Sequence, residues 1–264
     1  MRYLFFIVVY FISILNLSAG KERIYIKDPS KDLGQKEAIL ILPGFGSRVH
    51  GTKLISDFFF NNEYDVFIPD YISRHSIADC VTNLDEFIIK HKLAGYKKLH
   101  VFSYIVGSWT LNKWILRHPK NNITSIVYDR SPLQERAPYA LVKDVPFIIR
   151  LVAGKIMKEF SQTPYPSLTK NNIKVGIIIE NRATKLVFKH KRSALLLGPI
   201  TWDVDSLKQE NDDFFYTLSN HDNMYNCFDV TGKEIMNFFS TGKFTITAKR
   251  QVYKEDPFTL YNKK

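Results

Sequence analysis

From residue 22 onward, short continuous apolar runs alternate with stretches in which apolar residues recur every three to four positions. Residues 38–42 (Ala-Ile-Leu-Ile-Leu) form the first run. The loop Pro43-Gly44-Phe45-Gly46-Ser47 follows, then a helical pattern near 52–60. A second strand is expected at 65–69. Across 76–91, Ile77, Val81, Leu84, Phe87 and Ile88 fall on one face of a helix. Residues 98–102 read as the next strand and 107–117 as a helix carrying Trp109, Leu111, Trp114 and Ile115. Further strands are expected at 123–128, 175–179 and 214–218, with a closing helix at 232–239. Strands apolar on both faces, alternating with amphipathic helices, predict the α/β class: a mostly parallel sheet flanked by helices on both sides. The 264 residues suffice for one such domain and demand no second. A hydrophobic content of 45% and the absence of repeats or low-complexity tracts exclude a disordered chain and a solenoid.

Between about 130 and 172 the alternation breaks. Residues 139–142 and 147–156 are apolar, and Thr163-Pro-Tyr-Pro-Ser167 is a stiff turn. This segment is expected to form a small helical cap on the sheet edge, roofing an apolar pocket. At the other end of the chain, Arg2, an apolar run over 4–17 and the small residues Ser18-Ala19-Gly20 predict a signal peptide over 1–20. The run is shorter than the ~20 residues of a membrane span. Export, periplasmic or secreted, is therefore expected, the alternative being an uncleaved N-terminal membrane anchor. The expected organisation is a leader (1–20), a main domain (21–248) and a basic C-terminal tail (249–264).

The formal net charge is +11, and +10 without residues 1–20, where Arg2 is the sole charged side chain. Part of the excess is clustered. Lys185, Lys189, His190, Lys191 and Arg192 are expected in one loop; Lys249, Arg250, Lys254, Lys263 and Lys264 lie in the tail. Such clusters are a solvated surface or a site of attraction to an anionic membrane or envelope surface. No nucleic-acid-binding motif is present, and no such partner is expected. Cys80 falls on the helix after the second strand and Cys227 near the closing helix; these helices are expected on opposite faces of the sheet, so no disulfide is expected. The seven histidines show no ligand spacing, and neither a metal nor another cofactor is expected.

The most informative motif is Ser103-Tyr104-Ile105-Val106-Gly107, on the junction between a predicted strand and helix. It has the small-x-nucleophile-x-Gly form of a nucleophile elbow, with Ile105 where the nucleophile belongs. Together with Ile-Leu-Pro-Gly-Phe-Gly (41–46), Asp-Val-Phe-Ile-Pro-Asp (65–70) and Ser-Asn-His-Asp (219–222), it makes the chain resemble the α/β-hydrolase fold superfamily over about residues 36–244. The likeness is to the lipase/esterase-like branch, with a degenerate elbow. The resemblance implies that His221 occupies the general-base position and that the N–H groups of Phe45 and Val106 occupy the oxyanion-hole positions. It also implies an acid between the strand at 174–179 and His221. The aligned position is Thr201, with Asp203 as the substitute and Glu180 and Asp205 as weaker candidates. Ser103 is expected to point into the strand end and Ser108 into the first helical turn, both as structural residues. Ser47 and Ser131 lie in loops without an elbow around them.

Two functions from different classes are left open. One is a catalytically inactive exported protein that binds a small apolar or ester-like ligand or an envelope partner. The other is an active serine-type esterase or lipase with an unorthodox nucleophile.

Overall fold

The architecture follows a computed structural model, which describes residues 22–45, 49–129, 137–169, 172–197, 204, 207, 209–220, 224 and 228–258. Seven strands form one sheet: β1 (Arg23–Tyr25), β2 (Glu37–Leu42), β3 (Asp65–Ile68), β4 (Lys98–Ser103), β5 (Ile123–Asp129), β6 (Lys174–Glu180) and β7 (Asp213–Thr217). Their order is β1-β3-β2-β4-β5-β6-β7. All neighbours pair in parallel except β1, which runs antiparallel to β3.

The described helices are α1 (Val49–Asn61), α2 (Ile77–Lys90), α3 (Ile105–Arg117), α4 (Ala137–Asp144), α5 (Pro146–Ala153), α6 (Ile156–Gln162), α7 (Lys185–Lys189), α8 (Lys191–Leu195) and α9 (Phe228–Thr241). Period-2 alternation within apolar strands decides which layer each side chain joins. Ala38, Leu40 and Leu42 of β2 pack with α2 and α3. Ile39 and Ile41 pack with α1 and α9 on the opposite face. A third apolar cluster unites α4–α8 through Ala140, Leu141, Ile149, Met157, Val187 and Ala194. The helices expected between 130 and 172 are thus α4–α6, a layer with its own small core.

Three local expectations change, and one edge strand was not anticipated. The helix after β4 starts at Ile105 rather than 107, because Tyr104 alone makes the turn out of the strand. The edge strand β1 has only three residues, too few to show a pattern, and is held by its pairing with β3. Residues 185–192 lie on α7 and α8 rather than in a loop: Thr184 Oγ1 accepts from Val187 N at 3.2 Å, capping α7. The described part of the C-terminal segment, 249–258, is packed rather than trailing. Arg250 clasps Asp213 through Nε and Nη2 at 3.0 and 2.9 Å, Lys249 O accepts from Tyr216 N, and Phe258 is buried in the α4–α8 cluster. Cys80 is a buried free thiol whose pKa burial pushes up to about 11; Cys227 lies outside the described residues.

Candidate functional site

The carboxyl end of β4 meets α3 through one extended residue, Tyr104 (φ −89°, ψ 170°). Its N–H donates to Leu42 O at 3.0 Å, which fixes the turn against β2. The Tyr104 ring is buried in the α1/α9 layer, edge-on to Phe102 at 5.1 Å. Ser103 Oγ is buried 3.2 Å from Ser108 Oγ, and both hydroxyls donate to Tyr104 O. Gly107 is required by close approach: a Cβ there would sit 2.6 Å from Leu42 Cβ and 2.7 Å from Leu42 O. The two serines therefore do the structural work expected of them, and Gly107 makes room for Leu42.

Ile105 itself is half-buried and opens α3. Among the described residues the non-glycine positions with positive φ are Glu63 and Lys92, so Ile105 has an unstrained backbone. A nucleophile elbow sets its nucleophile on a sharp, strained turn. Here the corresponding residue sits in an ordinary first helical turn. The N–H groups of Ile105, Val106 and Gly107 have no intrahelical acceptor in that turn, and Tyr104 supplies no side-chain cap. They form the positive end of the helix dipole. Val106 is where the resemblance puts an oxyanion donor, and its side chain is buried in the α2/α3 core.

Phe45, the other oxyanion position, is half-buried and meets Phe160 of α6 edge-on at 6.2 Å. Phe160 meets Trp109 of α3 at 5.4 Å, and Trp109 meets Tyr165 at the same distance. One phenyl ring from the cap thus joins the first loop to the helix after the elbow. The cap is fastened from below as well. Glu159 Oε2 accepts from Ile77 N at 2.9 Å, and Arg74 O accepts from Lys155 N at 2.9 Å. Gly154, at φ +83°, lies so close to Arg74 that a Cβ would sit 2.1 Å from its carbonyl oxygen.

Beside the elbow, β5 and β6 each end in a fully buried carboxylate, Asp129 and Glu180. Register aligns Asp129 with Ile178, so alternation puts both acids on the α1/α9 face. Asn181 follows, buried, its side-chain amide without a hydrogen-bond partner among the described residues. Asn220 Nδ2 donates to Ala183 O at 3.3 Å, pinning the end of β7 beside β6 just before position 221. His221, Asp203, Thr201, Asp205, Ser47 and Ser131 lie outside the described residues. Of the predicted positions, the structure places Phe45 and Val106 in one apolar layer with Phe160, and Ile105 next to Val106 at the start of α3. Asp129 and Asn181 were not singled out from the sequence, and Glu180 was ranked low. Their signal is a charged or amide residue closing an otherwise apolar strand, as in Ile-Val-Tyr-Asp and Ile-Ile-Ile-Glu-Asn. Among the described residues no three His, Cys, Asp or Glu side chains are grouped to hold a metal ion.

No family model matches the sequence, and no curated protein sequence matches it. Solved structures do match. An alpha/beta hydrolase enzyme from a sediment metagenome of the Mar Chica lagoon, Morocco, shares 16% identity at a TM-score of 0.54, covering 84% of this chain and 95% of that one. The bromoperoxidase of Bacillus anthracis shares 11% at 0.52, covering 80% and 94%. An esterase of Pyrococcus furiosus shares 16% at 0.50, covering 85% and 91%. The chain has the α/β-hydrolase fold. In α/β-hydrolase terms, the elbow, the first loop and the ends of β5–β7 converge on the carboxyl edge of the sheet, where open α/β sheets bind ligands.

Proposed function

We propose that the protein is an exported, non-catalytic member of the α/β-hydrolase fold that binds a small apolar or acyl ligand, or an envelope partner, under its cap. The observation that carries this reading is Ile105: an aliphatic residue with helical backbone at the nucleophile position, flanked by two serines buried in packing. An isoleucine has no lone pair to attack an acyl carbon and no proton to exchange with a base. What the site retains suits binding: first-turn N–H groups at Ile105–Gly107 toward a carbonyl or carboxylate, and aromatic walls from Phe45, Trp109 and Phe160.

A second reading is favoured by Asp129 and Glu180. Buried carboxylates at strand ends are what a working ester hydrolase needs to hold a histidine, and with them the protein would hydrolyse esters through a nucleophile other than residue 105. Hydrolysis of short- and medium-chain nitrophenyl esters by the purified protein, with His221→Ala beside it, separates the two. Background rates from both proteins are expected. Turnover that His221→Ala abolishes would overturn the non-catalytic reading.

A further inference from the structure

The outer surface of the cap repeats one pattern on two helices. On α5, Phe147, Arg150 and Leu151 occupy positions i, i+3 and i+4 and are exposed, Phe147 at 78% and Leu151 at 57%. On α8 and the turn that continues it, Arg192, Leu195 and Leu196 repeat that spacing and exposure, Leu196 at 59%. The inner residues of both helices, Ile149 and Ala153 on one and Ala194 on the other, enter the same cluster as Ala140 and Leu141 of α4. Each helix therefore turns its opposite face away from that shared core. Exposed apolar side chains of this size mark an interaction surface.

Charge decides what the surface fits. Over residues 137–169 and 182–197 there are nine Lys and Arg against two acids, Asp144 and Glu159. Both acids are engaged within the protein: Asp144 with His190 Nδ1 at 2.7 Å and with Ser193, and Glu159 with the first turn of α2. A second copy of the same face would bring like charges together. Large apolar side chains set among basic ones suit the interface of an anionic bilayer, where aliphatic and aromatic groups enter the headgroup–acyl boundary and guanidinium groups meet lipid phosphates.

We propose that the cap docks on anionic lipid bilayers through Phe147, Leu151, Leu195 and Leu196, with Arg150, Arg192 and neighbouring lysines pairing with the headgroups. Docking uses the outside of the cap and does not depend on what the pocket holds.

The test is co-sedimentation of the full chain with phosphatidylcholine vesicles, alone or with about one-third phosphatidylserine. A dye sensitive to its surroundings is placed on Leu151→Cys in a Cys227→Ser background. Binding and a blue shift of the dye are expected on the anionic vesicles, with loss of both at about 0.5 M NaCl. Arg150→Gln with Arg192→Gln should weaken binding about 25-fold, at about fivefold per charge. Phe147→Ser with Leu151→Ser should weaken it at least about 100-fold while circular dichroism stays unchanged. Equal binding to neutral vesicles would overturn the proposal, as would anionic binding with the dye unmoved or variants that bind like the parent chain. So would self-association without vesicles that the Phe147 and Leu151 substitutions abolish, which would make the partner a second copy. None of these readouts involves ester turnover, so this proposal and the pocket reading fail separately.

Discussion

At the amino edge of the sheet, two polar groups taken out of water have several named partners. Asp65, fully buried, receives Lys36 Nζ at 2.5 Å, Tyr96 Oη at 2.7 Å and Lys27 N at 2.8 Å. Beside it His100 spans β5 and β2, Nδ1 lying 2.7 Å from Ser125 Oγ and Nε2 3.3 Å from Glu37 Oε2. That is a serine, a histidine and an acid in line, yet it is sealed: His100 is fully buried, stacked on Phe239 at 4.7 Å, and burial drives its pKa down to about 4. At the carboxyl edge the order is reversed. Helix-end donors are there, with buried acids beside them, but Ile105, which we propose stands at the nucleophile position, has no reactive group, and the Asn181 amide has no described partner. Residue types in line do not make a reactive site. Exposure to a substrate and a strained, solvent-facing nucleophile do, and in this chain neither edge has all of them.

The largest effect that tests this contrast is expected from Lys36→Met. It strands the buried Asp65 charge and should lower unfolding free energy by about 3–5 kcal/mol in urea titrations. A loss under 1 kcal/mol would mean that the amino edge is not held by its polar pairs. Next is the pH response of His100. Its folded pKa of about 4 lies below the unfolded value near 6.5, so the unfolded chain takes up the proton first. The contribution is intact above that unfolded value and is lost as pH falls toward 4, by at most about 1.4 kcal/mol per pH unit. His100→Gln should flatten that limb of a stability–pH curve; an unchanged slope would assign it to other groups. Smaller still, Asn181→Leu removes a buried amide that has no partner among the described residues, at similar volume, and should change stability by less than about 1 kcal/mol in either direction. A loss comparable to that of Lys36→Met would erase the contrast between the edges. Ile105→Ser is expected to do least: with the tip in helical geometry, ester turnover should stay within about tenfold of the parent. A gain of several hundredfold would mean that a functional base and acid are waiting behind it.

The regular part of the architecture was readable because its signals are redundant. Strands such as Ala-Ile-Leu-Ile-Leu are apolar on both faces, and α2 repeats its apolar face over four turns behind a Ser76 cap that accepts from Asp79 N at 3.0 Å. The Ser103–Gly107 motif was readable because Gly107 is fixed by close approach to Leu42 and Ser103, whatever chemistry stands between them. Elements stabilised by tertiary contact left no such trace. β1 has three residues, and α7 and α8 have five each, too short for a period to accumulate. Their helical form comes from burying Val187 and Ala194 against α4. Asp129 and Glu180 escaped for a different reason. A carboxylate closing an apolar strand looks like the solvated end of the element, and only the α1/α9 layer, brought over it by the fold, makes it a buried group.

Phe258 sits among Phe188, Val187 and Ala137 in the core of the cap, with Lys191 Nζ 4.2 Å above its ring and Pro257 O accepting from Ala183 N. On the ribosome, every helix of the cap emerges before that phenylalanine does. That layer therefore has its full core only after β7 and α9 have been made. One aromatic side chain from the far end of the chain thus closes the core of the cap, and truncation upstream of Pro257 should leave a protein whose sheet is formed and whose roof is looser.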